Sequence, residues 1–154
     1  MNDSNVLFYD PGELIDDDLE LILVSTFSGD PSKGYVPAYN FEMRPVGKRT
    51  PMGRISLRIG DTEAIRGWVG HIGYQVGSPY RGHHYAARSC RLLLPLAKRH
   101  DIDPVWITCN PENIASRRTC ELAGAEFVEI VDVPHDHEIY KQGEPLKCRY
   151  RLDP

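Results

Sequence analysis

The run YQVGSPYRGHHYAARS, residues 74–89, concentrates the residue types most able to do chemistry in this chain. An apolar stretch ending at Val76 leads through a glycine-containing turn into a helical pattern. The first backbone N–H groups of such a helix have no partner within it and point outward. With the helix dipole they favour a bound anion, and a pyrophosphate suits such a site. Gly82 and Ala86 leave the backbone open to phosphate oxygens, Arg81 adds positive charge, and His83 is placed to face the same oxygens. Strand-to-helix turns with a glycine are common, so the rest of the chain must say whether this one is a site.

The bulk properties narrow the choices. At 154 residues the chain is the size of one domain, expected to span residues 1–154, and 41% hydrophobic with 26% charged residues is ordinary globular usage. A formal charge of −4 argues against a protein that coats nucleic acid phosphates. No run of about eighteen apolar residues is present, and MNDSNVLFYD lacks the parts of a secretory signal, so neither membrane nor export is expected and the cytosol is the expected location. Cys90, Cys109, Cys120 and Cys148 have no metal or redox spacing and read as reduced thiols. His135-Asp136-His137, behind Pro134, reads as a solvated loop rather than a zinc site, and no metal is expected.

Positioning elements follow from periodicity. Leu19 to Phe27 is a strand ended by Ser28-Gly29-Asp30-Pro31, and residues 28–40 are too broken by Gly and Pro for a long helix. Phe41 to Val46 and the alternating Arg54 to Ile59 pair as a hairpin, and a further strand is expected from Trp68 to Val76. Gly70 and Gly73 weaken that strand, which suggests something approaches its backbone closely. From Ala86 an amphipathic helix carries Cys90, Leu93, Leu94 and Ala97 on one face, with Pro95 expected to kink it. Val105 to Cys109 is a buried strand, and Asn110-Pro111 is expected to cap and start a second helix that Gly124 closes. Phe127 to Val133 and Leu146 to Leu152 are strands. This order calls for an α/β chain with a mixed sheet flanked by helices. Asp16-Asp17-Asp18 reads as a solvated run ahead of the first strand.

The run GHIGYQVGSPYRGHHYAARSC resembles the cofactor motif of the GNAT N-acetyltransferases, Arg/Gln-x-x-Gly-x-Gly/Ala, with Arg81 and Ala86 in register and Tyr85 at the variable position. ITCNPENIASRRTCELAGAEF resembles the family's Asn-x-x-Ser helix ending in Glu-x-x-Gly, through Asn113, Ser116, Glu121 and Gly124. The likeness extends over residues 53–152, and resembles more distantly the N-terminal acetyltransferases of ribosomal proteins. It departs from the pattern twice. His84 stands where the motif has its first glycine, and only the loop 28–40 stands where the family carries helices between its first strands. An acceptor wall supplied by a partner subunit, and hence a possible homodimer, is one expectation from that gap.

The resemblance implies the GNAT fold, mostly antiparallel, and acetyl transfer from acetyl-CoA to a primary amine of a small molecule or peptide by direct attack. It implies that Tyr74, Gln75 and Val76 meet the pantetheine arm through backbone groups, that Arg81, Gly82, His83, His84, Tyr85 and Ala86 hold the pyrophosphate, and that Asn113 and Ser116 lie beside the arm. His71 occupies a position where relatives often carry Glu, and imidazole titrates in the range a general base needs. Cys120 takes the place of a helix-borne Tyr that protonates the leaving thiolate, with Tyr140, Tyr150 or a water as other proton donors. Tyr35, Tyr39 and Phe41 are candidates for an acceptor pocket, and Arg117 for the adenosine phosphates. A GNAT-fold module that binds CoA as a sensor, without turnover, is the rival expectation.

Overall fold

The computed structural model describes residues 6–154. β1 (Leu14–Asp16), β2 (Leu19–Phe27), β3 (Ala38–Pro45), β4 (Gly53–Arg58) and β5 (Ile72–Val76) form an antiparallel meander in that order. The chain then crosses through α1 (Tyr85–Leu92) and α2 (Leu94–Arg99) to β6 (Val105–Cys109). α3 (Ile114–Leu122), β7 (Glu126–Asp132), the short α4 (Glu138–Lys141) and β8 (Leu146–Leu152) complete it, with β8 between β6 and β7 in a second antiparallel sheet.

Strand alternation sets two unlike faces on the first sheet. Ile55 and Leu57 of β4 stand opposite Phe41 and Tyr39 of β3 and opposite Tyr74 and Ile72 of β5. This face is apolar and joins Cys90 and Ala87 of α1 in the core. The other face carries Ser56 and Arg58 opposite Asn40 and Ala38, and Gly73 opposite Ser56. Ser56 Oγ donates to Asn40 Oδ1 at 2.8 Å and Asn40 Nδ2 donates to Ser25 Oγ at 3.1 Å, a polar ladder across three strands. The family's helices between the first strands would lie in segment 28–37, which here forms one short helical turn, Pro31–Lys33.

Several sequence expectations are corrected. The strand expected from Trp68 is only Ile72–Val76; Trp68 and Val69 belong to a π-helical turn, Ile65–Val69, ended by Gly70 at φ +81°. A Cβ on Gly70 would stand 3.1 Å from the Trp106 carbonyl oxygen, and one on Gly73 would stand 2.7 Å from Nη2 of Arg58. What approaches those glycines is therefore this chain itself. The long helix is interrupted at Leu93, so that Pro95 falls in the first turn of α2, where its missing N–H costs no helical bond. α3 is capped by Asn113, whose Oδ1 accepts the Ser116 N–H at 3.1 Å, and not by Asn110. The Asp16–Asp18 run is the turn of the β1–β2 hairpin, held by Arg88 of α1 through Nε to Asp16 and Nη2 to Asp18, both 2.7 Å. Two of the three acids, Asp16 and Asp18, thereby fasten the first hairpin to α1.

Candidate active site

Between β5, the turn after it, and α3 lies a groove of about 590 Å³. All the cofactor candidates line it except His83, whose ring stacks on Tyr85 instead. Tyr80, Ala115, Arg118, Thr119 and Leu122 also line it, and the sequence motifs did not single these out. Arg118 sits one position from the residue expected to reach the phosphates. Arg117 turns to the second sheet, where its Nε donates to the Tyr150 hydroxyl at 3.0 Å and its guanidinium lies 5.3 Å from the Phe127 ring.

The end of the groove beside the α1 start owes its shape to two left-handed residues. Gly82 has φ +94° and His84 φ +60°. His84 is the residue before α1, and no side chain caps the N–H groups of the first turn. His84 thus adopts the backbone conformation that a glycine takes easily, and His is among the side chains that tolerate it. The departure from the motif leaves the glycine-like backbone intact and adds an imidazole to the wall. Arg81 Nε donates to the Val76 carbonyl at 3.3 Å, which holds the turn against the end of β5.

At the inner end, the Tyr74 hydroxyl shares a 2.6 Å hydrogen bond with Ser116 Oγ, and Asn113 fixes Ser116 through its backbone N–H. Burial pushes the Tyr74 phenol well above the ordinary tyrosine range, with the nearby Cys120 adding to the shift, so it stays protonated. Cys120 itself does not reach the groove. It is fully buried, and its hydrogen bond to Cys109 together with burial raises its thiol far above the usual range. Such a thiol packs the core and has no path to a leaving group.

His71 is also corrected. It is 3% exposed, its Nδ1 accepts the Trp106 N–H at 2.9 Å, and its Nε2–H donates to the Gly60 carbonyl at 3.0 Å. Both ring nitrogens are used, and burial lowers its pKa below the ordinary histidine value. A ring without a free lone pair takes no proton from an amine. His71 instead joins the sheets, because its own N–H also donates to the Trp106 carbonyl at 2.7 Å. Beyond that link β5 pairs, among the described residues, only with β4, which leaves its outer edge open to them from Gly73 onward.

A second cavity, of about 300 Å³, lies where the end of β4, the π-helical turn, the segment before β3 and α4 meet, with Arg58, Val69, Lys33, Tyr35 and Glu138 among its lining. Of the three aromatic acceptor candidates only Tyr35 lines it. Tyr39 and Phe41 are core residues, and the Tyr39 hydroxyl is engaged by His100 Nε2 at 2.6 Å. Tyr150 is fully buried, and the Tyr140 ring packs on His135. His137 caps α4 by accepting the Ile139 N–H, and the described residues contain no cluster suited to a metal ion. The four cysteines are free and buried. No helix among the described residues is long and apolar enough to cross a membrane.

A forked pair of antiparallel sheets, a groove along the open strand and an uncapped helix start at its end together define an acyl-CoA-type transferase architecture. The family model for the acetyltransferase (GNAT) domain matches residues 2–126. The chain belongs to that family and is an acyltransferase. Among solved structures it is similar to a Vibrio cholerae protein assigned as a ribosomal-protein-serine acetyltransferase, with 17% identity and a TM-score of 0.65 over 95% of this chain and 100% of that one. It is also similar to the microcin C7 self-immunity acetyltransferase MccE in complex with acetyl-CoA and AMP, at 16% identity and a TM-score of 0.57 over 76% of this chain and 61% of that one. The ribosomal L7/L12 α-N-protein acetyltransferase RimL in complex with coenzyme A shares 17% identity and a TM-score of 0.56 over 79% and 64%. At these identities the likeness concerns the fold. No curated protein matches the sequence.

Proposed function

We propose that this protein transfers an acetyl group from acetyl-CoA to a primary amine of a small molecule or peptide, within a complex that holds both substrates. The observation that carries the reading is the groove itself, with uncapped α1 N–H groups at one end and a half-buried hydroxyl pair at the other. The residues fit the cofactor. The α1 N-terminus, Arg81, Arg118 and His84 offer donors and charge for a pyrophosphate, while Val76, Ala115 and Leu122 give apolar wall to a pantetheine arm. The open edge of β5 supplies unpaired backbone groups for its amides. Bound acetyl-CoA supplies a thioester whose carbonyl carbon gains the C–N bond as the C–S bond breaks and the thiolate departs.

Tyr74 is the proton-bearing group nearest that chemistry in this reading. A phenol raised above its usual range does not surrender its proton to a thiolate, whose thiol has a pKa near ~8.5. It stabilises the thiolate by donating a hydrogen bond, and solvent supplies the proton that the thiol finally keeps. With His71 withdrawn, water takes a proton from the acceptor's ammonium, and the neutral amine then attacks. RimL and the Vibrio cholerae protein carry names that point to protein acceptors, which is why a peptide amine stays within the proposal. Four free, buried thiols suit work in a reducing compartment, the cytosol.

The same observations favour a second reading at one point. The imidazole on the groove wall, His84, stands beside the α1 start and not beside the Tyr74–Ser116 pair, and this suits a CoA-binding sensor. Two measurements separate the readings. Acetyl-CoA raises the melting temperature under both, and release of free thiol with a panel of amines occurs only under the first. No shift with acetyl-CoA at millimolar concentration refutes both.

A further inference from the structure

We infer that the second cavity receives the acceptor and selects one with a carboxylate one or two carbons from its amine, the carboxylate being held by Arg58. The inference rests on the transferase reading above and names the substrate class for it. Arg58 lies partly buried at the end of β4, and its Nη1 donates to the Gly70 carbonyl at 3.1 Å and more weakly to the Val69 carbonyl at 3.4 Å. Among the described residues it has no carboxylate within ion-pairing distance, in contrast to Arg44, Arg88, Arg149 and Arg151. A guanidinium in a recess without an anion is costly unless one arrives, because burial disfavours the unpaired charge. Burial indeed lowers its pKa.

The rest of the lining is consistent in sign. Lys33 adds a second cation, and the carboxylate of Glu138 is already engaged by the Tyr35 hydroxyl at 2.9 and 3.0 Å. The cavity therefore offers more positive charge than negative to an entering molecule. Its volume of about 300 Å³ suits an amino acid and not a folded partner.

Arg58 links the cavity to β5, whose opposite face borders the thioester groove. Nη2 of Arg58 lies 2.7 Å from where a Cβ of Gly73 would be, and the next residue, Tyr74, turns its side chain into the groove on the opposite face. Gly73 is thus the gap through which the guanidinium lies flat on β5. A carboxylate on Arg58 brings an amine one or two carbons away to the open edge of the same strand, where β6 has diverged. The amine nitrogen forms its bond to the carbonyl carbon from this side, its extra proton leaves to water, and the thiolate leaves on the other. Bidentate binding of a carboxylate by guanidinium fixes orientation as well as charge.

The test uses the full chain with saturating acetyl-CoA and measures thiol release with free amino acids, their amides and dipeptides that begin with the same residue. Loss of a charge-assisted hydrogen-bonded pair lowers kcat/KM by roughly tenfold or more. The best free amino acid is expected to exceed its amide by that factor, chiefly through KM. Arg58→Gln is expected to raise KM for the acid roughly tenfold more than for the amide, a selectivity that a merely structural role would not produce. Should Arg58→Gln not fold, the comparison of acid with amide in the unaltered protein still decides. Turnover of amides or dipeptides as fast as free acids overturns this inference and leaves the transferase reading standing. Turnover of no amine at all, with a melting shift by acetyl-CoA, overturns both.

Discussion

Replacing Tyr74 by Phe removes one oxygen from the junction of β5 and α3 and separates two roles that the residue combines. Structurally, the variant loses the 2.6 Å bond to Ser116 Oγ. Ser116 lines the groove, so water reaches its freed hydroxyl and no buried orphan is left. The stability cost then falls near the net value of one neutral hydrogen bond, about 1 kcal/mol. For a chain of this length that corresponds to a fall in melting temperature of about 2–4 °C. Catalytically, losing a hydrogen bond to the departing thiolate is expected to lower kcat by roughly a hundredfold, as for removal of one oxyanion donor. KM for acetyl-CoA should change little, since the phenol ring still walls the groove. Steady-state thiol release gives kcat and KM, and a thermal melt gives the stability change. Ser116→Ala is the control, because it leaves the Tyr74 hydroxyl free to donate and should cost far less in rate. A Tyr74→Phe enzyme with kcat within about twofold of the parent, and the expected melting change, would refute the assignment and leave Tyr74 as wall.

Two further outcomes follow from the histidines. The pKa of His71 is lowered by burial from its ordinary 6.5, so the unfolded chain binds a proton more readily than the folded one. Stability from this group is fully present above about pH 6.5 and is lost as pH falls from there through the folded pKa. His100, lowered by burial and by Arg99, acts in the same direction. Melting temperature should therefore decline from pH 7 to pH 5, with a shallower decline in His71→Asn; a flat profile in the parent would refute the buried neutral ring. At His84, the left-handed backbone makes glycine the comparison of interest. His84→Ala should be less stable than His84→Gly by about 1 kcal/mol, because only the alanine keeps a Cβ at φ +60°. Equal melting temperatures for the two variants would show that the turn relaxes.

The legible parts of the sequence were those with a period or a motif. β6 was expected at its observed bounds, Val105–Cys109, because a short apolar run between turn signals has few other uses. The groove was legible because the turn 77–84 and the Asn113–Ser116 pair lie in local runs that resemble the family's motifs, and every cofactor candidate but His83 ended on its lining. The helix start itself was expected at Asn110 and lies at Asn113. What was not legible depended on contacts between distant segments. Nothing local in GWVGHIG announces that Trp68 and Val69 form a π-helical turn, since Gly70 takes its conformation from the approach of Trp106 to Thr108 some 36 residues later. Asp16 and Asp18 look solvated until Arg88 of α1 is placed against them. The proton donor was sought on α3 at Cys120, whereas the hydroxyl beside that helix comes from Tyr74 on β5, at a position read only for its backbone.

The case of His71 shows why a titratable residue beside a site need not be part of its chemistry. Transfer between two substrates on one strand requires that the strand keep an unpaired edge while its sheet stays attached to the next. A strand paired on both sides has no edge to offer, and a strand with no tie to β6 would let the fork open freely. His71 meets both demands by satisfying Trp106 with a backbone N–H and a ring nitrogen at the last residue before β5 begins. Period-two alternation then divides the work beyond that point. Gly73 faces the Arg58 guanidinium, Tyr74 faces the groove, and a single peptide unit separates the two. Moving the register by one residue would exchange those faces, sending the phenol toward Arg58 and leaving the groove without its hydroxyl. His71 therefore fixes where β5 starts, and its substitution should impair acceptor and cofactor binding together instead of shifting a catalytic pKa.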